Sequence, residues 1–155
     1  DEGTGSVSVR LAGPVTQREP GPLPLLEWDP ETVMKHSRAF LARSELFRET
    51  GGVHSALMVR GPEALYFAED LGRFNALDKC LGRALLMGTD PGRCMLFTSG
   101  RLPLGFVLKV IRAGIPMVVS RSAPTDAALE LASRCRLQVV GFARGDRMTL
   151  YGVDC

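Results

Sequence analysis

The sequence is poor in the residues that build metal and redox centres. It has two histidines, His36 and His54, and four cysteines, Cys80, Cys94, Cys135 and Cys155, with no C-x-x-C pair and no H-x-E motif. A zinc knuckle, a dithiol couple and a hydrolytic metal centre are therefore not expected, and scattered thiols fit a reducing, cytoplasmic compartment. Lysine is nearly as scarce: 3 of the 19 basic residues are Lys and 16 are Arg. The formal net charge of +2 gives no reason to expect nucleic acid or an anionic membrane as partner. No apolar run approaches the roughly 20 residues that span a bilayer, so membrane insertion is not expected either. No targeting leader is readable, and a first residue Asp1 rather than Met leads us to expect further sequence upstream.

With 155 residues, 45% of them hydrophobic, the chain is long enough for one domain that folds without a disulfide or a zinc ion. Five of the ten prolines, Pro14, Pro20, Pro22, Pro24 and Pro30, fall in the first thirty residues. Residues 1–28 are thus expected to be an extended arm or linker, with at most a short strand at 7–11, ahead of a domain at 29–155. Asp29 as N-cap and Pro30 at the first helical position start a helix. Val33, Phe40, Leu41 and Phe47 give it one apolar face, and Gly51-Gly52 end it.

Beyond that point apolar strands alternate with helices. Residues 53–59 and 64–68 flank Arg60-Gly61-Pro62-Glu63 as a hairpin. A helix at 72–87 carries Ala76, Leu77, Cys80, Leu81, Ala84 and Leu85 on one stripe. A strand at 94–98 leads to a helix at 103–113 with Phe106, Val107, Val110 and Ile111 inward. A strand at 115–119 leads to a helix at 124–135 burying Ala127, Ala128, Leu131 and Ala132, and strands at 137–143 and 147–151 close the chain. Uniformly apolar strands are covered on both faces, and strand-helix-strand units imply parallel pairing. The expected fold is α/β: a three-layer α/β/α sandwich on a mixed, mostly parallel six-stranded sheet with an antiparallel element at each end.

In open α/β sheets ligands bind beyond the carboxyl ends of the strands. Three such ends are alike: Glu69-Asp70-Leu71-Gly72-Arg73, Ser99-Gly100-Arg101 and Ser120-Arg121-Ser122-Ala123-Pro124-Thr125. Each places a small or acidic cap and one Arg where a helix is expected to begin, and a helix N-terminus with an added guanidinium seats phosphate. Any one of them alone is more simply ordinary capping by Asp70, Ser99 or Ser122. Three in succession on one edge point to an anionic, nucleotide-like ligand. Phe142-Ala143-Arg144-Gly145-Asp146-Arg147, between the last two strands, adds two arginines and a glycine that permits close approach, although it also suits a plain hairpin turn. Gly52 and His54 mark a corner where backbone or ligand comes close, and Asn75 is placed to hydrogen-bond a ligand or the neighbouring loop. Cys80, Cys94 and Cys135 fall on buried stripes that raise a thiol pKa, and Cys155 has no activating neighbour in sequence. No Ser-His-Asp set is readable, so no catalytic residue is assigned.

Several segments carry a family resemblance. FRETGGVHSA (47–56), EDLGRFNALDK (69–79), Ser99-Gly100-Arg101, AGIP (113–116) leading into VSRSAPT (119–125), and VGFARG (140–145) resemble, in order, the FdhD family of formate dehydrogenase accessory sulfurtransferases, over residues 29–151. The resemblance implies a cytidine deaminase-like fold without that superfamily's zinc ligands. It also implies a cytoplasmic, homodimeric maturation factor that accepts sulfur from a cysteine desulfurase as a persulfide. That sulfur is passed to the molybdenum bis(molybdopterin guanine dinucleotide) cofactor before the cofactor enters formate dehydrogenase. GDP is then a simple ligand analogue, and Phe142 to Arg147 match the family's cofactor-contacting loop. Together with Gly52, His54, Arg73, Asn75, Ser99, Gly100, Arg101, Ser120, Arg121 and Ser122 they make up the expected cofactor-binding set.

Two features depart from the family pattern. Its persulfide carrier is a C-x-x-C loop N-terminal to this region, and the Gly-rich start of this chain falls about where that loop would just have ended. The family also has His where Phe74 stands and an acidic residue soon after its Ser-Gly-Arg, where 102–106 carries none. Two expectations follow: a sulfurtransferase of which this chain is the cofactor-binding portion, or a non-enzymatic cofactor-binding chaperone that lacks the persulfide loop.

Overall fold

A computed structural model describes residues 20–152. The expected strand at 7–11, Cys155 and the side chain of Leu41 lie outside the described residues. Asp29 caps α1 (Pro30–Ala42) as expected, its Oδ1 accepting the Thr32 N–H at 2.8 Å. The single helix expected up to the double glycine is two. Ser44 leaves the helical region (φ −79°, ψ 74°), its buried hydroxyl bonded to that of Ser55, and α2 (Glu45–Thr50) starts afresh. Gly51 ends α2 at φ +66°, the left-handed conformation that favours glycine, with its N–H on the Phe47 carbonyl at 2.8 Å. The break turns Phe47 off the expected core face; it is 43% exposed.

Six strands follow: β1 (His54–Arg60), β2 (Glu63–Asp70), β3 (Met95–Thr98), β4 (Met117–Ser120), β5 (Gln138–Arg144) and β6 (Arg147–Tyr151), in the order β2-β1-β3-β4-β5-β6. The centre, β3-β4-β5, is parallel, connected through α4 (Leu104–Arg112) and α5 (Asp126–Arg134). Antiparallel hairpins, β1-β2 and β5-β6, stand at the two ends as expected. Because β1 also runs antiparallel to β3, strands β2 to β5 other than β1 all point one way. Their carboxyl ends share one edge with the starts of β1 and β6, and that edge carries the site.

The alternation of side chains across each strand explains the three layers. Leu57, Val59, Met95, Phe97, Met117 and Val119 face α1, meeting Val33 and Phe40. Met58, Leu96, Val118 and Val139 face the other way, into Leu77 of α3 (Arg73–Leu86), Phe106 and Val110 of α4 and Ala128 and Leu131 of α5. Besides Phe47, two expected core positions are not in it. Leu85 sits about 100° round α3 from Ala84 and is 81% exposed, and Ala127 lies on the outer side of the first turn of α5. The described part of the arm lies against the opposite end of the sheet: Leu23 is buried with its N–H on Cys135 O at 2.8 Å, and Gln138 Nε2 donates to Leu26 O at 3.2 Å.

Three consecutive residues of α1 reach other elements. His36 Nε2 donates to Gly61 O in the β1-β2 turn at 2.8 Å, Ser37 Oγ to Ala143 O of β5 at 3.0 Å, and Arg38 Nη1 to Asp146 Oδ1 at 2.9 Å. The thiols of Cys80, Cys94 and Cys135 are buried, as the stripes required. Burial pushes Cys80 up to about 12, which leaves it a thiol at neutral pH.

Candidate ligand-binding edge

The sheet edge holds two depressions. The inner one is a cavity of about 210 Å³ lined by Phe40, Ser44, Phe47, Gly52, His54, Ser55, Ser99 and Arg121, with Gly51 and Val53 completing its wall. The outer one is a groove of about 660 Å³ lined by Pro30, Met34, Phe142, Arg144, Asp146, Arg147, Met148 and Thr149. The expected site residues thus divide: Gly52, His54, Ser99 and Arg121 share the cavity, and Phe142, Arg144, Asp146 and Arg147 share the groove.

Arg121 and Arg144 stand between the two. Arg144 Nε donates to the Arg121 carbonyl at 2.6 Å, which anchors its stem and leaves the end of its guanidinium at the groove. Arg121 lines the cavity instead, and its Nε is buried without an acceptor among the described residues. Burial first, then the neighbouring Arg144 charge, lowers the Arg121 pKa from its ordinary value. Neither ion-pairs with a carboxylate among the described residues. An unneutralised guanidinium facing a cavity is a site for negative charge.

The polar groups around the cavity satisfy one another. Ser99 Oγ accepts the Ser55 N–H at 2.9 Å and lies 3.3 Å from His54 Nδ1; Ser55 Oγ bonds Ser44 Oγ and reaches Glu69 Oε1 at 3.5 Å. Arg73, the first residue of α3, packs over Gly100 beside His54: a Cβ on Gly100 would stand 3.2 Å from both Arg73 Cβ and His54 Nδ1. Ser120 Oγ donates to Gly100 O at 2.7 Å and accepts the Ser122 N–H at 2.9 Å, tying the loops after β3 and β4 together.

Desolvation, followed by the Arg73 charge, lowers the His54 pKa from the ordinary value of 6.5. A depressed folded-state pKa makes the neutral ring the stable form. The stability this contributes is present above the unfolded-state value and is lost as pH falls through the folded one. We expect the His54 ring to titrate below pH 6.5 by NMR, and Arg73→Ala to move the midpoint part of the way back up, because burial remains. A midpoint at or above the ordinary value would contradict this environment.

The expectation that all three arginine loops open directly into helix N-termini needs correction. Arg73 does begin α3, but α4 starts three residues after Arg101 with Pro103 as an N-cap lacking a side-chain bond, and α5 is capped by Thr125 rather than Ser122, its Oγ1 accepting the Ala128 N–H at 3.3 Å. The reason is a short parallel bridge of Leu102 to Pro124, with Leu102 N–H on Ala123 O and Thr125 N–H on Leu102 O, both 3.1 Å, which carries these helix starts past the edge. Nor does Ser99 cap a helix, its hydroxyl being used by Ser55. Arg101 is exposed and lines neither depression, and Asn75 serves the loop reading, its Nδ2 donating to Asp70 Oδ1 at 3.0 Å. The Gly72 N–H first, then Lys79 and Asn75, hold the Asp70 carboxyl far below the usual range.

Within the groove, β5 is irregular between Gly141 and Arg144, and Phe142 takes φ +51° there, unusual for a side-chain-bearing residue. The bulge leaves the Phe142 ring 43% exposed beside Arg144 and Arg147, while Ala143 is buried and Gly145 turns the hairpin at φ +56°. Strain of this kind that exposes an aromatic ring is characteristic of ligand sites. Sequence reasoning missed Ser44, Ser55, Phe40, Pro30 and Met34 as lining residues. The two serines, small polar residues among apolar neighbours, were the readable signal; Phe40 read only as core, Pro30 only as the first helical residue, and Met34 carried no reading.

Among the described residues no group of His, Cys, Asp and Glu is placed to hold a metal ion, and no helix is long and apolar enough to cross a membrane. The chain is 37% identical over 126 residues to the sulfur carrier protein FdhD of Listeria monocytogenes, covering 81% of this chain and 48% of that protein. It is 40% identical over 121 residues to the sulfur carrier protein FdhD of Wolinella succinogenes, covering 78% and 42%. The chain spans about half the length of the curated relatives it matches. A crystal structure of a protein assigned as a formate dehydrogenase accessory protein of Desulfotalea psychrophila superposes with a TM-score of 0.81 at 32% identity, covering 88% of this chain and 58% of that one. The family model described as FdhD/NarQ matches residues 3–154. With nearly the whole chain matched, and the arginine-bearing sheet edge in place, this protein belongs to the FdhD/NarQ family.

Proposed function

We propose that this chain is the cofactor-binding part of a sulfur carrier that serves a formate dehydrogenase, and that its cargo is the molybdenum bis(molybdopterin guanine dinucleotide) cofactor. The observation that carries this reading is the outer groove. Its volume of about 660 Å³ suits a nucleotide, and it combines an exposed aromatic ring, Phe142, with two guanidinium groups, Arg144 and Arg147. A purine stacks on such a ring, and a diphosphate takes bidentate hydrogen bonds from arginine. Asp146 does not oppose an anion with its full charge, because Arg38 pairs with it at 2.9 Å. In this reading the carrier acts as a homodimer in the cytoplasm, receiving its sulfur as a persulfide from a cysteine desulfurase.

GDP, standing for half of the dinucleotide, is expected to raise the melting temperature of the chain. At 100 times Kd the linked stabilisation is about 2.7 kcal/mol. Arg147→Ala is expected to remove the response with little change in the unliganded Tm, since Arg147 is exposed. No shift at millimolar GDP would overturn the assignment. A second reading, a chaperone that holds the cofactor without moving sulfur, is favoured by the burial of Cys80, Cys94 and Cys135. Incubating the native full-length protein with a cysteine desulfurase and cysteine separates the two: a persulfide on a cysteine outside these three supports the carrier, and none supports the chaperone.

A further inference from the structure

We infer that the end of the domain opposite the ligand edge is a docking face for an anionic lipid bilayer. Two exposed leucines and a methionine enter the bilayer surface there, and the arginines around them meet lipid phosphates. The inference is independent of the nucleotide reading, which concerns the other end of the sheet.

The placement follows from the topology. α3, α4 and α5 each run from the carboxyl end of one strand back to the start of the next, so their last turns gather at the far edge. The turn before β3 joins them: a Cβ on Gly92 would stand 3.9 Å from Gly114 O, just beyond α4, and the Thr89 and Tyr66 hydroxyls bond at 2.7 Å. Leu85 and Leu86 end α3 and Met87 caps it, and they are 81%, 81% and 58% exposed. One exposed leucine is ordinary, but three large apolar residues in succession point to an interaction surface. Each follows the last by about 100° round the helix, so they fan out as a tip rather than line one stripe. They line neither the cavity nor the groove. A docking peptide or helix needs a groove or an open strand, whereas a fluid bilayer closes round a tip.

Charge selects the kind of bilayer. Arg83, Arg93, Arg112, Arg134 and Arg136 are exposed at this same end. Of these, Arg83, Arg93, Arg134 and Arg136 ion-pair with no carboxylate among the described residues. The carboxylates there are Glu27, Glu63 and Asp90; Glu63 is paired with Arg60 at 3.1 Å, and Asp90 Oδ1 accepts the Gly92 N–H at 3.0 Å. The formal net charge of +2 thus averages over an uneven surface. A second copy of the chain is disfavoured as occupant, because two such ends would meet arginine to arginine; an anionic surface is complementary. Arginine stems lie along apolar surface while their guanidinium groups reach phosphate, which suits the boundary between headgroups and acyl chains. Docked by this end, the protein holds its cavity and groove away from the bilayer and open to their ligands.

The test is co-sedimentation of the native full-length protein with sucrose-loaded vesicles of phosphatidylcholine containing about one-third phosphatidylglycerol. We expect saturable binding that weakens at least about tenfold as salt rises from about 50 to about 500 mM, and little binding to phosphatidylcholine alone. Leu85→Ser combined with Leu86→Ser is expected to weaken binding about tenfold or more, with Tm unchanged because both side chains are already exposed. Arg83→Ala and Arg134→Ala are each expected to weaken it about fivefold. Leu104→Ser, at the start of α4 and 45% exposed, is the control and is expected to bind as the parent does. No saturable binding, equal binding to both vesicle types, or a double serine variant that binds like the parent would each overturn the proposal. Two further outcomes would overturn it in favour of another occupant. A dimer that the double serine variant splits, without vesicle binding by the parent, assigns the face to a second copy; capture of poly-L-glutamate but not of vesicles assigns it to an acidic protein. GDP is expected to leave vesicle affinity unchanged, so loss of either binding leaves the other reading standing.

Discussion

Phe40→Ala is expected to destabilise the chain by about 3–5 kcal/mol, the range for truncating a fully buried phenylalanine. Phe40 is 2% exposed, and its ring stands 6.1 Å from that of Phe67 and 6.4 Å from that of Phe97 between centroids. It is the anchor that presses the end of α1 onto the sheet, and the loss is both of transferred apolar surface and of contacts the cavity cannot refill. For a chain of this size the effect on Tm is on the order of 10 °C. Because Phe40 also lines the inner cavity, the variant enlarges that cavity as it weakens the fold. Thermal and urea unfolding measure it. A change below about 1 kcal/mol would mean that α1 resettles onto the sheet without its anchor.

Gly141→Ala is the second large effect, and it reaches the ligand edge directly. A Cβ at this position would stand 2.9 Å from Tyr151 Cε2 and 3.2 Å from both Pro124 Cδ and the Ser122 carbonyl oxygen. Tyr151 sits on the paired strand and has some room to swing, but Pro124 belongs to the Leu102 bridge and Ser122 O accepts the Phe142 N–H at 3.3 Å. The added methyl must therefore push the loop after β4 away from β5. Overpacking of this kind costs about 1–3 kcal/mol. It also disturbs Phe142, so the stabilisation by GDP is expected to fall along with Tm. Gly141→Ala with both unchanged would show that the loop gives way freely.

Much of the scaffold was legible because its signals are local or periodic. Asp29-Pro30 and Gly51 are start and stop signals carried in one or two residues, and the short apolar runs at β3 and β4 are buried on both faces as such runs require. The edge that gathers the arginines was legible too, because strand direction follows from the connections. What was not legible depends on contacts distant in sequence. Ser44 breaks the first helix because Ser55 is there to meet its hydroxyl, and no window around Ser44 contains Ser55's position in space. The loops after β3 and β4 pair with each other through Leu102 and Pro124, so their helices begin later than capping signals suggest. The division of the arginines into two depressions rests on which way Arg121 and Arg144 turn, and the pattern of basic residues carries no trace of that.

The three successive contacts from α1 bear on the order of assembly. The β1-β2 and β5-β6 hairpins close over short stretches of chain, so each can form early. His36 joins α1 to the first across 25 residues, whereas Ser37 and Arg38 join it to the second across 106 and 108. Docking of this helix onto the second hairpin is thus a step of high contact order, as is the seating of the arm, where Gln138 meets Leu26 across 112 residues, and the loop-closure entropy it requires places it late. A late-docking helix is absent from the folding transition state, so the Phe40→Ala variant should unfold faster while folding at nearly the rate of the parent chain. A slowed folding limb in its chevron plot would instead make α1 part of the nucleus.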